Sequence, residues 1–118
     1  MAKTVVFDFD GVIHSYKSGW KGETIIPDEP VKGIEDVLEE LKEEGYEIVI
    51  VSSRCATKSG RIAILEWLEK YNLDYYIDRI STEKPPAIVY IDDRAIRFDG
   101  KTKGLVDKIK NFKSWTQK

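Results

Sequence analysis

Asp8, Asp10, Ser52, Lys84, Asp92 and Asp93 are the residues whose types and placing suit chemistry at phosphorus. Asp8 follows the apolar run Val5-Val6-Phe7, Ser52 follows Ile48-Val49-Ile50-Val51, and Asp92-Asp93 follows Ile88-Val89-Tyr90-Ile91. A carboxylate at the tip of a strand can attack phosphorus and become an aspartyl phosphate. Asp10 reaches the same space two residues later, and Gly11 lets the chain turn away beneath it. One carboxylate of this pair must be ionised to attack. The other must be protonated, to give the leaving oxygen its proton and then take one from water. Like charges brought together raise one pKa and so supply the split. Crowded carboxylates also need a cation, and Mg²⁺ fits, because it is commonly held by one or two carboxylates plus a substrate phosphate. The expected metal set is Asp8, Asp10 (through a nearby backbone oxygen), Asp92 and Asp93, with Asp92 and Asp93 able to exchange roles. Lys84 by charge and Ser52 by hydrogen bonding suit the non-bridging phosphoryl oxygens, with Ser53 as the alternative to Ser52.

These residues must be delivered by the backbone to one place. The three apolar runs are short and rich in β-branched residues, the pattern of strands buried on both faces of a parallel sheet. In open α/β sheets, ligands bind beyond the carboxyl ends of the strands, so the three polar tips converge on one crevice. Between them, Ile34, Val37, Leu38 and Leu41 have helical spacing, with Gly45 as the stop. A second helix is expected with Ser59 as N-cap, an inner face of Ile64, Trp67, Leu68 and Tyr71, and Asn72 as its close. Tyr75–Ile77 reads as a short third strand, Ala87–Ile91 as the fourth, and Phe98-Asp99-Gly100 as a turn. Leu105, Ile109 and Phe112 predict a helical tail, with Trp115 docking it. Right-handed βαβ crossovers then give a Rossmann-like three-layer α/β sandwich with a mainly parallel sheet in the order 3-2-1-4.

The chain has 118 residues, enough for one domain over 1–118. It is 42% apolar and 34% charged with a net charge of −2, so bulk electrostatics do not single out nucleic acid. A lone cysteine, Cys55, excludes an internal disulfide framework. The first strand begins almost at once, without the apolar stretch of a secretion signal, and no run is long enough to cross a bilayer. A cytoplasmic setting without membrane partners is expected.

The ordered set Asp8-Phe9-Asp10-Gly11-Val12, Ser52 closing a strand, Lys84, and Ile91-Asp92-Asp93 resembles the four motifs of the haloacid dehalogenase (HAD) superfamily. The resemblance covers residues 4–100. It implies Mg²⁺ dependence, Asp8 as nucleophile, Asp10 as acid/base, Ser52 and Lys84 as phosphate holders, and a metal-binding Asp92-Asp93 end. Val12 stands where phosphatase members commonly have threonine. Members of the superfamily usually carry a cap domain after the first motif or between the second and third. Here residues 12–30 hold only a flap loop and residues 55–83 only a helix and a strand, which implies a capless protein. Either a large substrate then shields the site or another subunit supplies the lid.

The expected activity is a Mg²⁺-dependent phosphatase acting on a phosphorylated small molecule or a nucleic-acid end. Around the crevice, Gly11, Ser53, Arg54, Trp20 and Lys17 are candidates for substrate contact. Trp20 can stack a base while nearby cations meet phosphate. Each has a plainer reading: Trp20 anchoring the flap, Arg54 as a solvated loop residue, and His14 as a structural flap histidine. Two other classes compete, a catalytically silent HAD-like binding module and a receiver-type phosphoacceptor domain. In the second, the acidic pair would follow the first strand and Asp10 would have no task.

Overall fold

The computed structural model describes residues 3–117. Its elements are β1 (Thr4–Asp8), α1 (Ile34–Glu43), β2 (Glu47–Val51), α2 (Lys58–Lys70), β3 (Arg79–Ser81), β4 (Val89–Ile91) and α3 (Leu105–Lys110), with 3₁₀ turns at Ser53–Ala56 and Asp74–Tyr76. The four strands form one all-parallel sheet in the order β3-β2-β1-β4. This is the expected Rossmann-like α/β fold, with no cap domain among the described residues.

The core explains the layering. Val5 and Phe7 of β1 and Ile48 and Ile50 of β2 point to one face, where Ile34 and Leu38 of α1 and Ile64, Trp67 and Leu68 of α2 pack on them. Both helices lie on this face because each connection moves leftward along the sheet, and right-handed crossovers keep such connections together. On the other face, Val6, Val49 and Val51 form a smaller cluster with Ala87 of the connection into β4. Helix α1 ends at Gly45 (φ 85°), with the Tyr46 N–H donating to the Leu41 carbonyl. Helix α2 ends at Asn72, whose φ of 58° is the left-handed conformation that asparagine tolerates.

Several expectations need correction. Thr57, not Ser59, caps α2: its extended backbone lets Oγ1 accept the Gly60 N–H at 3.1 Å, and Ser59 lies inside the first turn. Tyr75–Ile77 is not a strand; Asp74–Tyr76 is a 3₁₀ turn, and pairing with β2 begins where the Asp78 N–H donates to the Ile48 carbonyl. The third strand is therefore Arg79–Ser81. β4 is not buried on both faces; all three of its residues are exposed, because it is the outer strand and the two main helices cover its neighbours instead. The expected turn at Asp99 and Gly100 forms, with the Lys101 N–H donating to Asp99 Oδ1 at 3.0 Å. Trp115 docks the tail by donating its indole N–H to the Gly11 carbonyl at 2.6 Å. No helix of the described residues is long and apolar enough to cross a membrane.

Candidate functional site

Register places the polar tips together. Phe7 pairs with Ile50 on one side and Ile91 on the other, so Asp8, Val51 and Asp92 form the next row and Ser52 follows it. A cleft of about 360 Å³ opens there, lined by Asp8, Asp10, Ser52, Ser53, Asp92 and Asp93, with Tyr16, Trp20 and Arg94 around them.

Asp8, Asp92 and Asp93 each offer a carboxylate oxygen within 4.8 Å of the others. Burial, then a hydrogen bond with Asp93 and the charge of Asp92, push the Asp8 carboxyl up to about 7. Asp92 is steadied by the Arg94 backbone N–H, which donates to Oδ1 at 2.9 Å, and by Lys84, whose Nζ lies 3.3 Å from Oδ2. Asp93 packs against Gly11, where a Cβ would lie 2.3 Å from Asp93 Oδ2; the φ of 84° also demands glycine. Three hard oxygen donors whose charge Lys84 only partly offsets fit a Mg²⁺ ion, which would relieve the part of the Asp8 rise that comes from its acidic neighbours.

Asp10 lies in the cleft but in different company. Its Oδ1 accepts from His14 Nδ1 at 2.8 Å and from Arg54 Nη2 at 3.2 Å, and its Oδ2 accepts from Arg54 Nε at 2.9 Å. Burial opposes its charge, but the hydrogen bonds from His14 and Arg54, with the Arg54 charge, outweigh it and hold the carboxyl below its usual range. The like-charge split expected between Asp8 and Asp10 therefore has another origin and the reverse direction. Asp8 is raised by burial and then by Asp93 and Asp92, and Asp10 is lowered by an imidazole and a cation. The carboxylate of Asp10 also stands outside the convergent trio.

Arg54 is not among the residues lining the cleft. It is fully buried, and its Nη1 donates to the carbonyls of Gly22 and Glu23 at 2.8 Å and of Ile25 at 3.3 Å, which ties the flap to the sheet. Its backbone approaches α2 so closely that a Cβ on Gly60 would overlap the Arg54 carbonyl oxygen at 1.8 Å. His14 is equally buried; the Asp28 N–H donates to its Nε2 at 3.2 Å, which leaves the hydrogen on Nδ1 for Asp10. Its ring stacks near Phe9 and meets Trp67 edge-on, so it is the structural flap histidine.

Ser52 is buried at the strand end, with its Oγ accepting the Arg54 N–H at 3.1 Å. The hydroxyl hydrogen stays available for a ligand. Ser53 is exposed on the same wall. Lys17 pairs with Glu29 on the surface and is not among the residues lining the cleft. Trp20 is half exposed and lies over the Arg54 guanidinium at 4.5 Å, so one ring face is covered and it borders the cleft. Sequence reasoning gave no role to Arg94 or Tyr16. Arg94 directly follows the acidic pair, and Tyr16 has a left-handed backbone (φ 59°) that only coordinates reveal.

No protein-family model matches this sequence, and no curated protein matches it. Among solved structures, a conserved protein from Bacteroides thetaiotaomicron superposes with a TM-score of 0.60 and 21% identity, over 99% of this chain and 97% of that one. A chain of a Pnkp1/Rnl/Hen1 complex superposes with a TM-score of 0.54 and 17% identity, over 98% of this chain and 37% of that one. At these identities the likeness establishes the α/β fold and nothing finer.

Proposed function

We propose that this protein is a Mg²⁺-dependent phosphohydrolase of the HAD type, cleaving a phosphate monoester through a phosphorylated Asp8. The observation that carries the reading is the convergence of Asp8, Asp92 and Asp93 at the carboxyl edge of a parallel sheet, with Lys84 on Asp92 and Ser52 across the cleft. Asp8, Asp92 and Asp93 would hold the metal ion, which when bound supplies charge neutralisation at the phosphoryl group. A carboxylate oxygen of Asp8 bonds to phosphorus as the bond from phosphorus to the leaving oxygen breaks. Water then attacks phosphorus, which frees Asp8 and inorganic phosphate. Lys84 and the Ser52 hydroxyl hold the non-bridging oxygens.

Asp10 is assigned to the second step. Both of its oxygens already accept hydrogen bonds from positive or polar donors, while Oδ2 keeps a lone pair for a proton taken from water. The first step then depends on the leaving group's own stability, so aryl and other acidic leaving groups turn over faster than simple alkyl ones. Among natural substrates, nucleotides and nucleic-acid ends fit the rim best. The exposed face of Trp20 offers a base a stacking surface, and Arg94 brings a cation to the same rim.

Release of p-nitrophenol from p-nitrophenyl phosphate tests the reading. Turnover requires Mg²⁺, stops with a chelator, and is lost in Asp8→Asn. Equal turnover by the wild type and Asp8→Asn would reject Asp8 as nucleophile.

A further inference from the structure

The two edges of the sheet are finished differently. At one edge, β3 carries Arg79 and follows the Lys42–Asp78 ion pair, the charged finish that discourages strand addition. At the other, Ile88, Val89, Tyr90 and Ile91 are 58, 44, 43 and 39% exposed, with no charge or proline among them. The Ile88 N–H donates to the Thr4 carbonyl at 2.9 Å, so by alternation Val89 and Ile91 turn their backbone groups away from β1. Beside this strand lies a groove of about 460 Å³, almost wholly apolar, walled by Val5 and Phe7 of β1, Ile34, Val37 and Leu41 of α1, and Val89.

The molecule is also too open for its mass. A compact monomer of 13.6 kDa exposes about 6,600 Å², whereas this chain exposes 7963 Å². The excess of roughly 1,400 Å² is shared between this edge and the exposed tail beyond Arg94, and the ~800 Å² that each partner of a stable complex buries fits within it. The radius of gyration of 15.1 Å likewise exceeds the ~13.5 Å of a compact chain of this length.

We propose that the occupant of this surface is a second copy of the chain, its β4 pairing antiparallel with the first β4 across a two-fold axis. An isologous contact suits an uncharged strand that presents the same donors and acceptors to its twin. The two four-stranded sheets then become one, and Val89 and Ile91 donate and accept across the axis. Because antiparallel strands end at opposite sides, the two Asp92-Asp93 tips and their clefts face away from each other. Neither cleft lends a lid to the other.

Sedimentation equilibrium and amide hydrogen exchange on the full chain test this. At micromolar concentrations the wild type should sediment at twice the 13.6 kDa of one chain, and the Val89 and Ile91 amides should exchange about tenfold slower or more than after dilution to monomer. Val89→Lys, with circular dichroism confirming its fold, should sediment as a monomer. Should that variant fail to fold, the wild-type exchange data decide. A monomeric wild type, a dimer whose Val89 and Ile91 amides exchange as freely as in the monomer, or a folded Val89→Lys that stays dimeric would each overturn the proposal.

Discussion

Asp8 and Asp10 are separated by one residue, yet their surroundings drive them in opposite directions. Asp8 is partly buried beside Asp92 and Asp93, two more acceptors, and burial together with these neighbours pushes its carboxyl up to about 7. Asp10 meets Arg54 and His14, two donors, and its carboxyl is pushed down. The first group carries more negative charge than Lys84 alone can balance, which suits an added cation or proton. The second is balanced within the protein. The turn from the end of β1 into the flap thus has one acidic limb suited to a cation and one that fixes the flap, and the proposed chemistry rests on keeping them distinct.

The largest expected effects come from removing one carboxylate at a time. Asp8→Asn should lower turnover by about 10³-fold or more, because the reacting atom itself is lost. Asp10→Asn should cost about 10²- to 10⁴-fold, the usual range for a proton-transfer group, and let phosphorylated Asp8 accumulate. Quenched-flow assays that read product and protein-bound phosphate separate the two. If neither variant accumulates phosphoenzyme and both lose the same activity, the two carboxylates do not have distinct tasks.

Arg54→Met attacks the balanced limb. It leaves Asp10 without its cation and three flap carbonyls without their donor, and should cost about 3 kcal/mol in urea denaturation, as for a broken buried pair. Adding Asp10→Asn should recover part of that loss, because the orphaned charge goes with it. A double variant no better than Arg54→Met would show that the cost lies in the flap contacts rather than in the pair.

Gly11→Ala attacks the other limb. A Cβ 2.3 Å from Asp93 Oδ2 must displace that carboxylate, and Mg²⁺ affinity by calorimetry should fall about tenfold or more. Unchanged affinity would place Asp93 outside the metal set.

The smallest effect is in pH-dependent stability. A carboxyl whose folded pKa lies above its unfolded value of 3.8 takes up more protons in the folded state. Stability is then highest at low pH and declines as pH rises from about 4 to about 7. Asp10, with its lowered pKa, works the other way, contributing stability above the unfolded value that is lost as pH falls through its folded pKa. In chelator, the Asp8 contribution should lower Tm between pH 5 and pH 8 by several degrees, on the scale of ~1–2 kcal/mol once solvent screening of this partly exposed carboxyl is included. Mg²⁺ should raise Tm more at pH 8 than at pH 5. A Mg²⁺ effect that is equal at both would separate ion binding from Asp8.

What the sequence made legible follows the same division. The strand ends and the order 3-2-1-4 are readable because buried β-branched runs with polar tips leave few arrangements of so short a chain. The Asp8, Asp92 and Asp93 cluster follows from that order. The Asp10 network does not, because Arg54 lies 44 residues away and arginine is by default a surface residue. Its complete burial depends on three flap carbonyls that no local pattern announces. Tyr75 and Tyr76 suggest a strand by composition, but the pairing starts only beyond them, at Asp78. The exposure of β4 was equally hidden, since an apolar run does not say whether a neighbour covers it.

Acid quenching of the wild type during turnover of p-nitrophenyl phosphate with Mg²⁺, followed by mass spectrometry of its peptides, tests the central claim most directly. The account predicts one phosphoryl group on the peptide carrying Asp8, at the Asp8 side chain, and none in chelator or in Asp8→Asn. Phosphate on any other residue, or steady product release with no trapped phosphoenzyme in either the wild type or Asp10→Asn, would contradict it.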